Sequence, residues 1–151
     1  MRLVIQRVKE ASVTINGSVH ASIPQGMLIL IGIEDADSRE DIDWLVGKVM
    51  RLRIFDDADG VMNLPISEVF GADIMVVSQF TLMASTKKGN RPSYIRASRP
   101  EVAIPLYNQF VSVLSEQMGH DVKTGIFGAD MKVSLINDGP VTIIIDSHLR
   151  E

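Results

Sequence analysis

The sequence predicts an α/β protein: a single compact domain over residues 1–151, with mainly antiparallel β-sheets in β/β/α layers and two long helices. Two observations carry this. Tight turns join several consecutive apolar segments, as they do between antiparallel strands. Only two stretches have helical spacing, too few to cover both faces of a parallel sheet, so one sheet face is expected to pack on another sheet.

Residues 2–9 alternate and read as a strand. Ser12–Ile15 and Ser18–Ile23 flank Asn16-Gly17, the pair that favours a type I′ hairpin. After the turn at Pro24-Gln25-Gly26, Met27–Ile33 is continuously apolar, as in a strand buried on both faces. Ser38 with Asp41 offers a helix start, followed by Ile42, Leu45, Val46, Val49 and Leu52 at helical spacing. A second apolar strand is expected over Asp73–Leu82. Ser98 with Glu101 reads as another capping box, ahead of a stripe at Ala103, Leu106, Tyr107, Phe110, Val111, Leu114 and Met118 that Gly119 ends. Pro105 predicts an irregular first turn there. Met131–Ile136 and Val141–Ile145 read as strands joined by a turn at Asn137-Asp138-Gly139-Pro140. The total is about seven strands.

A chain of this length buries about 68–70% of its extended surface, enough for a core without staples. With no cysteine, disulfides, zinc-thiolate sites and cysteine nucleophiles are excluded, and a reducing compartment fits. No apolar run approaches the ~20 residues that span a bilayer, and the N-terminus is unlike a signal peptide. The expectation is a soluble cytoplasmic protein with no membrane partner. A net charge of −4 argues against a general nucleic-acid coat, but leaves room for RNA contact through one basic face.

Several constellations have a bland reading beside a chemical one. Asp56-Asp57-Ala58-Asp59-Gly60 resembles a calcium loop, but counting back from Gly60 puts Phe55 where the first acid belongs, so it reads as a solvated turn. His20, His120 and His148 have no mutual ligand spacing, so no metal and no cofactor is expected. No G-x-S-x-G elbow announces a serine triad. Residues 86–100 hold five basic residues, Lys87, Lys88 and Arg91 among them, and no acid; they read either as a solvated loop or as a phosphate-contacting one. Ser78-Gln79-Phe80-Thr81-Leu82 ends a buried strand in polar residues, where hydroxyls either finish the strand on its backbone or open a site. Phe127 and Met131 read by type as core.

Taken in order these pieces resemble the D-aminoacyl-tRNA deacylase family. The match runs from Ile5-Gln6-Arg7-Val8 and Ala11-Ser12-Val13 through Arg53-Ile54-Phe55, Met62-Asn63-Leu64, Val77-Ser78-Gln79-Phe80-Thr81-Leu82, Arg91-Pro92-Ser93 and Thr124-Gly125. It continues through Phe127 and Ala129-Asp130-Met131 to Val133-Ser134-Leu135 and Asn137-Asp138-Gly139-Pro140-Val141-Thr142. The resemblance implies a homodimer with sites at the subunit interface, in which the Gly139-Pro140 bond is cis and enters the partner's pocket. It implies that Arg7 orients that motif, that Phe127 and Met131 line an adenosine pocket together with substrate contacts at Asn137, and that aminoacyl-tRNA is the substrate. Lys87, Lys88 and Arg91 become candidates for tRNA contact.

The implied reaction is hydrolysis of the ester between an amino acid and the terminal ribose of tRNA. It needs an activated water and donors for an oxyanion. The sequence offers no convincing base beside Ser78 or Thr81, so the neighbouring ribose hydroxyl of the substrate is expected to activate the water, with Ser78, Gln79, Phe80 and Thr81 positioning the ester. Thr81 as nucleophile is the runner-up, since a threonine hydroxyl needs an adjacent base. A grip on the substrate amino group by the Gly139 and Pro140 carbonyls would exclude L side chains by overlap while admitting D residues and glycine, including glycine mischarged on non-cognate tRNA. A non-catalytic tRNA-end-binding module and a small-molecule esterase using Thr81 or Ser78 are the alternatives.

Overall fold

One long strand organises the molecule. β1 (Arg2–Ile15) pairs along one edge with β8 (Lys132–Asp146) for nearly its full length. Its other edge serves two partners in turn, β3 (Gly26–Gly32) up to Val8 and β2 (Ser18–Ile23) from Ala11 onward. All three pairings are antiparallel. β3 then pairs in parallel with β6 (Asp73–Ser78), and β6 with the short β7 (Lys123–Thr124). The parallel step has the crossover it requires: α1 (Arg39–Arg51) and a small hairpin of β4 (Phe55–Asp56) and β5 (Met62–Leu64) lie between β3 and β6. α2 (Pro100–Met118) precedes β7. The computed structural model describes residues 1–150.

The continuous apolar runs are explained by two cores on opposite faces of this sheet. Met27, Ile29, Ile31, Ile74 and Val76 face α1 and α2, meeting Ile42, Leu45, Val49, Phe110 and Leu114. Their sequence neighbours Leu28, Met75 and Val77 point the other way, into a second cluster with Val8, Val13 and Ile23. Ile23 of β2 and Met75 of β6 share that cluster although β1 and β3 separate their strands in the sheet, so the sheet curls over on itself. The expected sheet-on-sheet layer is therefore made by one six-stranded, barrel-like sheet, rather than by two sheets.

Local readings mostly hold. Asn16 and Gly17 have φ of 51° and 79°, the positive values of a type I′ turn. At the start of α1 the Asp41 carboxylate accepts from the Ser38 N–H at 2.8 Å and its hydroxyl at 3.0 Å. The acidic turn wraps Asp57, whose carboxylate accepts the Asp59 and Val61 N–H groups.

Four expectations are corrected. The second capping box does not form: α2 starts one residue later, with Arg99 as N-cap and Pro100 in the first turn, where a missing N–H costs nothing, and the Ser98 hydroxyl donates to Asp35 at 2.6 Å instead. Pro105 leaves α2 unbroken, because the carbonyl it deprives belongs to exposed Glu101, which water reaches. β6 stops at Ser78 instead of running to Leu82, and Phe80–Met83 form a 3₁₀ turn. The cause is tertiary: β3 runs out at Gly32, and the Gln79 N–H makes the last ladder bond, to the Ile31 carbonyl at 2.8 Å. Finally, Asn137–Pro140 is not a hairpin turn. Both flanks pair with the same edge of β1, Asn137 opposite Val8 and Thr142 opposite Gln6, so residues 138–141 bulge opposite Arg7 alone.

Candidate active site

The chain leaves β6 into the 3₁₀ turn beside Gly32, where a Cβ would lie 2.9 Å from Leu82 Cβ and 3.2 Å from the Gln79 carbonyl. Glycine there lets the turn close over the end of the sheet. The turn leaves the N–H groups of Phe80 and Thr81 without hydrogen-bond partners among the described residues. The Gln79 side-chain amide donates to the Thr81 hydroxyl. Phe80 is exposed and meets Tyr94 edge-on, at 5.1 Å between ring centroids and 74° between planes.

A cavity of about 590 Å³ opens at this end of β6. Ser78, Gln79 and Phe80 form one wall, and Phe127 and Met131 another, with Ile31, Val77 and Val133 at its base. Tyr94 and residues 97–100 complete it. Tyr107 stiffens the Phe127 wall from behind. Its ring meets Phe127 edge-on at 5.8 Å, and its hydroxyl donates to the Val76 carbonyl at 2.9 Å. Burial pushes the Tyr107 phenol up to about 12, so it remains a neutral donor.

The other expected residues lie elsewhere. Gly139 and Pro140 are exposed at the tip of the β8 bulge, outside the cavity of their own chain, and the peptide between them is cis. Arg7, only 7% exposed, fastens the bulge from beneath. Its Nε donates to the Asp138 carbonyl at 2.8 Å, and one terminal nitrogen donates to the Ile54 carbonyl at 2.7 Å and to Asp56 at 3.0 Å. Asn137 is spent on the same bulge: its side chain accepts the Val141 N–H at 2.7 Å and donates to the Val141 carbonyl and the Thr142 hydroxyl. Thr81 does not line the cavity. Lys87, Lys88 and Arg91 are exposed on a loop clipped shut by the reciprocal Ser85–Ser93 backbone pair, and none has an ion-pair partner among the described residues.

The chain matches the family described as D-Tyr-tRNA(Tyr) deacylase over residues 4–146. It belongs to the D-aminoacyl-tRNA deacylase family. It is 64% identical to the D-aminoacyl-tRNA deacylase of Flavobacterium psychrophilum and 62% identical to that of Porphyromonas gingivalis, each over 151 residues and the whole of both chains. Among solved structures it resembles the c-Myc DNA unwinding element binding protein, with a TM-score of 0.91, 37% identity and coverage of 97% of this chain and 98% of that one. A probable eukaryotic D-amino acid tRNA deacylase shares the fold, at a TM-score of 0.81 and 20% identity over 95% of this chain and 97% of the other.

As a member of this deacylase family the chain is an ester hydrolase acting on D-aminoacyl-tRNA. It has no serine triad among the described residues: His120 faces Asp73, His148 faces Asp37, and no histidine reaches Ser78 or Thr81. Among the described residues one grouping has metal-ligand chemistry, Glu34, Asp37 and His148, and its Asp37 holds the Met1 ammonium. No helix among the described residues is long and apolar enough to cross a membrane. Sequence reading missed Tyr94, Ser98 and Arg99 as cavity residues. They sit in the basic segment 86–100, whose charge drew notice while its fold back over the strand end was not visible.

Proposed function

We propose that the deacylase cleaves D-aminoacyl-tRNA, and glycyl-tRNA mischarged on non-cognate tRNA, by ribose-assisted hydrolysis in a homodimer where the Gly139–Pro140 bulge of each subunit closes the other's cavity. The observation that carries this reading is the position of the bulge: exposed, fastened by Arg7, and outside its own cavity. Ile136 and Ile144, on the same strand as the bulge, are 53% and 68% exposed, an apolar surface suited to a second copy. The cytoplasm, where aminoacyl-tRNA is consumed, is the proposed compartment.

In this mechanism the terminal adenosine lies against Phe127 and Met131. The ester carbonyl points at the free N–H groups of Phe80 and Thr81, which stabilise the oxyanion. The adjacent ribose hydroxyl orients the attacking water, in keeping with the lack of a histidine or carboxylate hydrogen-bonded to Ser78 among the described residues. Water adds to the carbonyl, the bond to the ribose oxygen breaks, and that oxygen leaves protonated as the tRNA hydroxyl, releasing free D-amino acid. Bulge carbonyls accept from the substrate ammonium, so an L side chain overlaps backbone that Arg7 prevents from yielding, whereas a D side chain or hydrogen points out. Deacylation of matched D- and L-tyrosyl-tRNA and glycyl-tRNA by the purified protein tests this: the D and glycyl esters are cleaved and the L ester is spared. Equal rates for D and L would end it.

A further inference from the structure

Among the described residues that line the cavity Arg99 is the only cation. Its side chain is exposed, which puts it at the rim, and it makes no hydrogen bond, ion pair or ring contact within the described residues. Its neighbours in the chain differ: Arg96 is paired with Glu34 at 3.2 Å, and Ser98 with Asp35 at 2.6 Å. The one carboxylate among the described lining residues, Asp130, is paired with Lys132, which reaches both its oxygens at 2.7 and 2.8 Å. Arg99 therefore stands at the cavity mouth with no direct partner among the described residues.

We propose that Arg99 binds the phosphodiester joining the terminal nucleoside of tRNA to the nucleotide before it. The proposal rests on the deacylase reading above. A tRNA is far larger than the cavity, so only its last nucleoside fits, and the chain must leave through the rim with the first phosphate still close by. That phosphate carries one negative charge shared by two non-bridging oxygens, which a guanidinium meets with two parallel N–H donors. In a protein with a net charge of −4, a polyanion needs such a local cation to seat its end. Arg99 is a positioning residue here, since it holds the strand rather than the ester.

The experiment compares two esters of the same D-amino acid, D-aminoacyl-tRNA and the D-aminoacyl-adenosine that has no phosphate, with wild type, Arg99→Ala and Arg99→Lys. For the tRNA, Arg99→Ala raises KM about tenfold, mostly without change in kcat, and Arg99→Lys recovers part of the loss. The slope of log affinity against log salt for uncharged tRNA becomes shallower by about 0.7 to 1. The loss on the nucleoside ester is several-fold smaller. Equal losses on both esters, or an unchanged KM and salt slope on tRNA, would overturn the assignment. A wild-type protein that binds tRNA but cleaves neither ester would instead refute the deacylase reading, while the salt slope would still report on Arg99.

Discussion

The cavity beyond Ser78 and the bulge at Gly139–Pro140 are both shaped surfaces, but different forces hold them. The cavity is concave and mostly apolar, and its wall is propped by rings and a buried phenol: Phe127 on Tyr107, Tyr107 on the Val76 carbonyl. The bulge is convex and exposed, with no core of its own, and is held by directional bonds: the buried Arg7 guanidinium donates to the Asp138 carbonyl, and the Asn137 amide bonds Val141 and Thr142. Apolar packing tolerates small adjustments and suits the adenosine pocket proposed above. A hydrogen-bonded backbone yields less, which suits the gate proposed above, one that refuses a side chain by overlap.

The largest way to break this contrast is Arg7→Ala. It strips the Asp138 and Ile54 carbonyls of a charged donor, at a cost of about 2–4 kcal/mol in stability. Denaturant unfolding measures that cost. Matched D and L substrates should then show the discrimination falling along with the D rate. A protein that loses stability but keeps full discrimination would show that the bulge stands without its anchor.

Gly139→Ala acts at the tip. Gly139 has φ of 138°, and a Cβ there would lie 2.8 Å from Val141 Cγ2 and 3.2 Å from the Arg7 guanidinium. The expected cost is about 1–3 kcal/mol of backbone strain. D-ester turnover should fall at least tenfold in steady-state assays, with the cavity's binding of free adenosine unaffected.

On the cavity side the sharper probe is pH. The Tyr107 phenol is raised from 10.0 to about 12 in the folded protein. Above pH 10 the unfolded chain loses this proton while the native state keeps it. Stability is therefore intact below pH 10 and declines by about 2–3 kcal/mol as pH rises towards 12. Tyr107→Phe, at about 1 kcal/mol for the lost hydrogen bond, should flatten that decline in alkaline unfolding curves.

The smallest effect is expected from Thr81→Ala. The hydroxyl accepts from Gln79 and lies outside the cavity lining, so turnover should drop less than about tenfold. Removing the neighbouring ribose hydroxyl from the substrate should cost far more. The reverse ranking would make Thr81 the nucleophile.

Much of this was legible in the sequence because it is local. The type I′ hairpin followed from Asn16-Gly17, the start of α1 from Ser38 and Asp41, and the two-faced strand from an unbroken apolar run. The ordered motifs pointed to the family and brought Ser78, Gln79, Phe80, Phe127 and Met131 to attention, and all five line one cavity. The residues that went unread, Tyr94 and Arg99, belong to a loop whose role depends on where it folds back, and charge along a sequence does not give that.

The two signature segments mark the boundary. By itself the sequence determined that residues 78–82 bring polar side chains to the end of an apolar strand expected to reach Leu82, and that Gly139 and Pro140 break the alternation of the last strands. What replaces the regular structure was decided by distant partners. β6 ended at Ser78 because β3 had no more edge to offer, and Asn137–Pro140 became a bulge instead of a turn because β1 continued past it and paired with both flanks. Strand pairing is a contract between residues far apart in the chain, so a turn-forming sequence bends only as far as its neighbours' hydrogen bonds allow.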